Sequence, residues 1–478
     1  MMKRRLLAAL LAAMFALALA APLTSAIPEK TVRFNTPYGY NENDYQKMVE
    51  FLEYEDNRVY CYFLGLSYDP YDPESWGCYV YDSTWDKYYP KGVIWSDDMQ
   101  DRRITHVSFA CEMWPDPVCG SLDVSDFEAL EYVSIYQTGI VSLNCSGCSE
   151  LTFLNAYENP LLEELIVDGC SKLDQLTCDR NAISELDVSD CSALKTLTVS
   201  ENNIAELDVS CCSGLEMLNC GANELSALDV TNCACLYDLV CRENNITKLD
   251  LSNNSMLSFL RCGSNRLTAL DVSACPGLYY LFCENNAIAE LDLSNNPYLE
   301  ALRCENNVLT NLDVSANREL AFLWCFGNRL KTIDLTNNPR IIYDMISADG
   351  DGCVGYTWGE DEGDFVGPVA EPMPGASFEG WYTEDGAFLS DNPELSDNGG
   401  KKRVVARFGK ADYHLAGDAD GSGIVNASDA LMILRAALGL IELPEEALAV
   451  SDVDHNGTIT AGDALLVLRY ALGLIDSL

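Results

Sequence analysis

Apolar and polar positions recur with a period of 21 residues through the middle of the chain. The stretch LDVSCCSGLEMLNCGANELSA, which begins at Leu207, shows the pattern. The unit from Leu143 carries one extra residue, and a decayed unit begins at Ile333. Such a period predicts a solenoid, because each unit must stack on its neighbours to bury its apolar face. The full units begin at Leu122, Leu143, Leu165, Leu186, Leu207, Leu228, Leu249, Leu270, Leu291 and Leu312.

The core phrase of each unit, L-x-x-L-x-C-x-x-N-x-L/I, resembles that of leucine-rich repeat proteins. The resemblance implies a solenoid of short parallel strands with few helices. In the unit from Leu207, Leu218 and Cys220 would point inward from the strand, and Asn223 would turn the chain away from it. Strands spaced ~4.8 Å apart would make a face of roughly 50 Å from about eleven strands.

Most of the 21 cysteines fall at two fixed repeat positions. Residues in register on parallel strands have Cβ vectors that point the same way, which is a poor geometry for a disulfide. The columns therefore predict buried thiols that act as small hydrophobes, and free thiols survive export most easily in an anaerobic environment. The first column holds Cys178, Cys220, Cys241, Cys262, Cys283, Cys304 and Cys325. The second holds Cys148, Cys170, Cys191, Cys212, Cys233 and Cys275, where other units carry Asn.

Two polar columns follow the same period. Asn stands at one position in nine of ten units, from Asn159 to Asn328, and predicts a structural ladder that satisfies buried backbone groups. An Asp column either caps local turns through the Ser or Thr two residues later, which we favour, or binds calcium. Its members are Asp123, Asp187, Asp208, Asp229, Asp250, Asp271, Asp292, Asp313 and Asp334.

The first 121 residues lack the full repeat. Residues 1–26 have a basic start, an apolar run and small residues before Ala26, which predicts a cleaved secretory signal peptide. Residues 27–121 resemble the N-terminal cap of secreted bacterial leucine-rich repeat proteins. Within them, apolar spacing predicts a helix over residues 43–53 with Asn43 or Asp44 as its cap, and then a strand around Val107. Cys61 with Cys78 and Cys111 with Cys119 are candidate disulfides of this cap.

Residues 347–411 include a segment, GEDEGDFVGPVAEPMPG from Gly359, that reads as a linker. The phrase F-x-GWYT-x-DG and the closing strand VVARF resemble the end of an internalin-type B repeat, which is a small β module. Trp381 and Tyr382 are either core residues, as the resemblance implies, or a platform for a sugar.

Two twelve-residue loops in residues 412–478, DADGSGIVNASD and DVDHNGTITAGD, carry Asp at positions one, three and twelve and Gly at position six. This spacing suits Ca²⁺, which takes six to eight oxygen ligands. Neither loop is predicted to follow a helix, and each runs into one with an apolar stripe. The predicted ligands, which include the carbonyls of Ile424 and Thr458, are Asp418, Asp420, Ser422, Ile424, Asn426, Asp429, Asp452, Asp454, Asn456, Thr458, Thr460 and Asp463. The stripes are Leu431, Leu434 and Leu438, and Leu465, Leu468 and Leu472.

The duplicated arrangement of loop and helix, joined by PEEALAV, resembles a dockerin. The resemblance implies an all-α module that holds two calcium ions and binds a cohesin module of a scaffoldin protein. By position, the cohesin contacts would be Ala427, Ser428, Arg435 and Leu438, or Ala461, Gly462, Arg469 and Leu472. The duplication implies two nearly equivalent docking faces.

Residues that flank the inward strand positions would lie on the concave face of the solenoid. Toward the later units they become aromatic residues interspersed with Arg and Glu, a composition typical of an interaction face. The alternative is that the following decayed repeat or the β module covers them. These residues are Phe259, Arg261, Tyr280, Phe282, Glu284, Arg303, Glu305, Phe322, Trp324 and Phe326.

The charge and the remaining motifs narrow the function. A net charge of −44 argues against a nucleic-acid partner, and no later segment has the ~20 apolar residues of a membrane span. Motifs such as G-x-S-x-G and H-E-x-x-H do not occur, and no segment of hydrolase size is left over.

Together these features predict a secreted, non-catalytic, multidomain protein of an anaerobic bacterium. Residues 122–346 would recognise a protein or glycan ligand, and the dockerin would attach the chain to a cellulosome-like polysaccharide-degrading complex, with the cell surface reached through a scaffold. The alternatives are a cell-surface adhesin anchored by the dockerin, or a polysaccharide-active enzyme or enzyme inhibitor of the complex.

Overall fold

The computed structural model describes residues 36–53, 69–82, 87–110, 119–341, 343–357, 367–373, 376–395, 403–409, 416–420, 424–454, 456–472 and 474–475. The predicted signal peptide lies outside these ranges. So do Cys61 and Cys111, and with them one partner of each candidate disulfide. Within the described ranges, every helix is too short or too polar to cross a membrane.

A short helix covers the first turn of the solenoid. Helix α1, Glu42–Leu52, buries its apolar face as predicted, but its N-cap is Asn41 and not Asn43 or Asp44. The Asn41 side-chain oxygen accepts the N–H groups of Asn43 and Asp44 at 3.0 and 3.3 Å. The Asp44 carboxylate instead accepts the N–H of Ile104 at 2.9 Å, and its burial raises its pKa. Asp44 therefore fastens the helix to the first repeat-like strand.

The strands form one long sheet and three small ones. The strands of the long sheet are β1 Gly77–Asp82, β2 Lys87–Trp95, β3 Ile104–Ala110, β5 Tyr132–Tyr136, β7 Phe153–Asn155, β9 Gln175–Thr177, β10 Thr196–Thr198, β11 Met217–Asn219, β12 Asp238–Val240, β13 Phe259–Arg261, β14 Tyr280–Phe282, β15 Ala301–Arg303 and β16 Phe322–Trp324. One of the small sheets lies on the early units and contains β4 Cys119–Asp123, β6 Gly139–Asn144 and β8 Glu164–Ile166. A 3₁₀ turn, Pro73–Trp76, precedes β1.

The long sheet is the predicted solenoid face. From β3 to β16 its strands are parallel, and successive strands pair in an unshifted register, such as Leu197 with Leu218 and Leu218 with Leu239. The central residue of each three-residue strand is buried, and in most of these strands both neighbours are partly exposed, as in β11 and β12. The fixed period of the sequence therefore appears as straight columns of side chains.

Both cysteine columns are buried, as predicted. The thiols of the second column donate to backbone carbonyls of the preceding unit, as Cys170 does to Cys145 at 3.2 Å. Where this column carries Asn, the amide makes equivalent contacts: Asn254 Nδ2 donates to the carbonyls of Val230 and Cys233 at 3.0 and 2.9 Å. Cys and Asn exchange at this position because each supplies a buried donor to the same turn.

Alkylation of the folded protein should distinguish the exposed cysteine from the buried ones. Cys235 is exposed, whereas Cys241 is buried, and burial raises the pKa of its thiol to about 12. Because the thiolate is the reactive form, iodoacetamide at neutral pH should label Cys235 and leave Cys241 unmodified until the chain is denatured. Peptide mass spectrometry reads both sites in one sample. Labelling of Cys241 at the rate of Cys235 would contradict the buried column.

The Asn column forms the predicted ladder. Asn202 lies 7% exposed, and its Nδ2 donates to the carbonyls of Cys178, Val199 and Ser200 at 2.8, 3.1 and 3.2 Å. Its Oδ1 accepts the N–H of Ile183 at 3.1 Å. One amide therefore joins the turns of two adjacent units.

The Asp column caps turns, as we favoured. Each carboxylate accepts the backbone N–H two residues later; Asp208, for example, accepts that of Ser210 at 2.8 Å. The hydrogen bonds from Ser210, its backbone N–H first, lower the pKa of Asp208. The same contact recurs from Asp187 to Asp334.

Past the last repeat strand the sheet pattern changes. The strands are β17 Thr332–Asp334, β18 Met345–Asp349, β19 Gly352–Thr357, β20 Gly367–Pro372, β21 Phe378–Thr383, β22 Phe388–Ser390 and β23 Arg403–Phe408. They form a sheet ordered β17-β18-β23-β21-β22 and an antiparallel pair, β19 with β20. The expected boundary between residues 346 and 347 falls inside β18, and part of the predicted linker is strand β20. Trp381 is a buried core residue whose Nε1 donates to the Pro393 carbonyl at 3.0 Å.

The described residues beyond this sheet are mainly helical. Their helices are α2 Ala427–Ala437, α3 Glu445–Ser451 and α4 Ala461–Ala471.

Candidate functional site

The first acidic loop ends where helix α2 begins. Asn426 is the N-cap, and its side-chain oxygen accepts the N–H of Ser428 at 2.7 Å. Asp429, in the first turn, accepts the N–H groups of Asn426 and Asp420 at 2.9 and 3.1 Å. These contacts fold the loop back on the helix. Oxygens of Asp418, Asp420 and Asp429 lie within 4.8 Å of one another.

The second loop repeats this geometry before helix α4. Asp463 accepts the N–H groups of Thr460 and Asp454 at 2.8 and 3.3 Å. Asp452 accepts that of Gly457 at 2.8 Å. Oxygens of Asp452, Asp454 and Asp463 lie within 4.8 Å of one another. The duplicated sequence therefore folds into two matching acidic clusters.

One feature of the second loop differs from the prediction. Helix α3 ends at Ser451, and Asp452, the first loop residue, is its C-cap. The second loop therefore does follow a helix, although the sequence segment before it was too short to predict one.

The other predicted calcium ligands are uncharged groups of the two loops. Ser422 lies outside the described residues. The Ile424 carbonyl accepts from Asn426 Nδ2 at 3.0 Å. Asn456 Oδ1 accepts the N–H of Thr458 at 2.9 Å, and Thr460 Oγ1 accepts that of Gly462 at 3.0 Å. These groups form hydrogen bonds within the loops and helix caps, and the carboxylates carry the charge of each cluster.

The burial and closeness of the carboxylates in each cluster suit a divalent cation. Burial, with a smaller contribution from the nearby Asp420 charge, raises the pKa of Asp429 against the effect of its backbone hydrogen bonds. Burial also acts to raise the pKa of Asp463, but the N–H groups of Thr460 and Asp454 outweigh it, and the pKa is lowered. Three close carboxylates repel one another, and a hard cation with oxygen ligands would relieve the repulsion.

The two helices pack through a face adjacent to the predicted leucine stripes. Ala430, Ile433, Ala464 and Val467 form the core between α2 and α4. Leu434 and Leu468 contribute to this core from its margin, and the other four stripe leucines are exposed, Leu438 and Leu472 at 63% each. The stripes are therefore mostly surface ridges. All the residues predicted to contact cohesin are exposed: Ala427, Ser428, Arg435, Leu438, Ala461, Gly462, Arg469 and Leu472.

The concave face brings most of the predicted ligand-face residues together on β13 to β16. Glu284, Glu305 and Phe326 each lie two residues past the end of their strand, and Phe326 lies against β19. A Cβ on Gly355 would lie 2.5 Å from the Phe326 Cα, so the backbones approach closely there. The β19–β20 pair thus covers this end, which is the alternative we kept for the face as a whole.

Two residues that sequence reasoning missed belong to this face. Asp238 lies opposite Phe259 in the register and accepts from Arg261 at 3.1 Å. Tyr279 lies just before β14, and its ring centroid is 4.8 Å from that of Tyr280. The adjacent tyrosines Tyr279 and Tyr280 could have indicated the second of these residues from the sequence. The salt bridge of Asp238 could not be predicted, because it depends on the register between neighbouring strands.

Comparisons with known proteins agree with this division of the chain. Residues 416–472 match the family model described as the dockerin type I domain. No curated protein matches the chain.

Several solved structures are similar to the chain. The functional domain of InlJ from Listeria monocytogenes, whose structure includes a cysteine ladder, is 25% identical, with a TM-score of 0.48 over 60% of this chain and 73% of that one. The internalin inlF of the same species is 22% identical, with a TM-score of 0.32 over 49% and 84%. A leucine-rich repeat protein from Leptospira interrogans is 16% identical, with a TM-score of 0.33 over 44% and 76%.

The repeat phrase, the parallel strand columns and the Asn ladder define the architecture of the solenoid. The duplicated acidic loops, the helices that follow them and the matching family model define the domain beyond it. The chain is therefore a leucine-rich repeat solenoid that carries a dockerin type I domain at residues 416–472.

Proposed function

We propose that this protein is a secreted, non-catalytic binding protein that docks through residues 416–472 onto a cohesin module. Each acidic cluster would hold one calcium ion and fix the entry of its helix. The repeat array would bind a protein or glycan ligand and bring it to a cellulosome-like, polysaccharide-degrading assembly outside the cell.

The duplication of the acidic clusters is the observation that carries the docking proposal. The two loops place their carboxylates alike, and each helix presents an exposed Arg beside an exposed leucine ridge. Apolar side chains flanked by Arg are typical of the centre of a protein interface. The support for two usable docking faces is that α2 and α4 carry the same pattern.

A binding assay on the full chain tests docking. Recombinant cohesin modules are titrated with the chain in calcium, using Arg435→Ala with Leu438→Ala, Arg469→Ala with Leu472→Ala, and the combination of all four. If the two faces are equivalent, each pair alone should leave binding within about two-fold, and the combination should weaken it by at least roughly 100-fold. Arg318→Ala, an exposed arginine of the repeat array, is the matched control. Full binding by the fourfold variant would refute the proposal.

A further inference from the structure

The outward residues of β13 to β16 form an alternating column of arginine and aromatic side chains. In register, Arg261 lies opposite Phe282, Phe282 opposite Arg303, and Arg303 opposite Trp324. The guanidinium carbons of Arg261 and Arg303 lie 5.9 and 5.7 Å from the Phe282 ring centroid. Arg303 also lies 5.6 Å from the centroid of Trp324. Since the two arginines come from the strands on either side, Phe282 lies between two guanidiniums.

The neighbouring rings are also packed against one another. Phe259 meets Tyr280 edge-on at 5.3 Å and 72°, and Tyr280 stacks with Phe282 at 6.0 Å and 16°. Phe322 stacks with Trp324 at 6.3 Å and 13°. A sugar ring binds an aromatic residue by laying its C–H groups on an open ring face. Here Phe282 lies between two guanidiniums and each of the other rings has an aromatic neighbour, so the cluster offers guanidinium groups and ring edges, which suit protein side chains.

The charges beside the cluster favour a basic ligand. Asp238 holds Arg261 at 3.1 Å, and Glu305 holds Arg303 at 3.0 Å. Glu305 is 2% exposed, and burial raises its pKa against the effect of Arg303. Among the described residues, one carboxylate oxygen of Glu305 and one of Glu284 are buried without a hydrogen-bond partner. Such oxygens need a donor, because an unpaired buried carboxylate is costly.

The Glu284 carboxyl group lies beside Gly263 of the preceding repeat unit. A Cβ on Gly263 would lie 2.4 Å from the Glu284 carboxyl carbon, so the carboxyl group occupies the space that glycine leaves open, and a larger residue would displace it. Three carboxylates, from Asp238, Glu284 and Glu305, therefore accompany the two guanidiniums. The carboxyl groups outnumber the guanidiniums, within a chain of net charge −44.

We propose that the face of β13 to β16 binds a protein segment that presents a lysine or arginine beside an apolar side chain, and not a glycan. The carboxyl groups of Glu284 and Glu305 attract the basic group, and the apolar group packs on the edges of Tyr280, Phe322 and Trp324. This inference rests on the proposed role of the array in ligand recognition and narrows its ligand to one class.

The test uses the full chain and two sets of probes. One set is short synthetic peptides that pair leucine or tryptophan with a nearby lysine, together with the same peptides carrying glutamate in place of lysine. The other is oligosaccharides of cellulose, xylan and mannan. Lysine peptides should bind, the glutamate versions should not, and added salt should weaken binding. Glu284→Gln and Trp324→Ala should each weaken lysine-peptide binding by at least about ten-fold, as should Gly263→Ala, which displaces Glu284.

The matched control is Glu290→Gln, the same substitution at an exposed position off this face, and it should bind peptides normally. Hydrogen exchange at β13 to β16, measured on every variant, shows that the array is folded, and cohesin binding reports docking separately. Oligosaccharide binding that is lost in Trp324→Ala would overturn the protein-ligand inference and leave ligand recognition intact. Binding of neither probe set, or equal binding of lysine and glutamate peptides, would overturn the inference while the cohesin result stands.

Discussion

Excess chelator should remove the protection of the α2 and α4 amides against hydrogen exchange and leave the repeat strands protected. Without a cation, three carboxylates within 4.8 Å of one another repel in each loop, and the small core around Ile433 and Val467 has little apolar area to oppose that repulsion. The repeat array contains no comparable cluster among its described residues, so its amides serve as an internal reference. Hydrogen exchange with mass spectrometry on the full chain measures both regions together.

Single substitutions locate the effect in the two loops. Asp429→Asn and Asp463→Asn each remove a carboxylate that also accepts two backbone N–H groups, and each should weaken calcium binding at its own loop by roughly 100-fold. Asp391→Asn, an exposed aspartate of the small β region, is the control and should change neither calcium binding nor exchange. Calorimetry counts the ions. Helices that stay equally protected in chelator would exclude a calcium-dependent fold for this domain.

Substitution of one ladder asparagine should destabilise the array far more than substitution of its neighbour in sequence. Asn202→Ala removes four hydrogen bonds and leaves the buried Ile183 N–H without its partner. We expect a loss of about 2–4 kcal/mol. Asn203→Ala removes an exposed amide with one contact of 3.4 Å, to the carbonyl of Ala182, and should cost less than about 0.5 kcal/mol.

The measurement should be local, because repeat arrays unfold in parts. Exchange at the amides of β9 to β11 gives the opening free energy around the substituted turn, and β15 serves as the distant reference. Equal effects of Asn202→Ala and Asn203→Ala would mean that the ladder contributes no more than the exposed turn.

The features that the sequence predicted correctly are those repeated many times or set by a short local pattern. Ten copies of one phrase leave little choice about strand position or register, since a shift of one residue would expose the Leu column and bury its neighbours. The buried cysteines, the Asn ladder and the turn-capping aspartates follow from the same repetition. The two acidic loops were also readable, because their residues act over a span of twelve positions.

The features that the sequence did not predict depend on groups distant in the chain or too few to form a pattern. Asn41 caps α1 while Asp44, inside the first turn, binds the distant Ile104 N–H, and the helix before the second loop was too short for a periodic signal. The leucine stripes of α2 and α4 looked like a packing face. Ala430 and Ile433 form the contact with Ala464 and Val467 instead, because the side of each helix that faces its partner is set by how the two helices pack.

By itself, the sequence determined the solenoid, its columns and the acidic loops, since those depend on spacing along one chain. Tertiary structure decided which outward residues act together. It set Asp238 against Arg261, placed Phe282 between two guanidiniums and left oxygens of Glu284 and Glu305 buried and unpaired. Those contacts join neighbouring strands whose residues lie about one repeat apart, and their energies depend on distance and burial, which residue types alone do not specify.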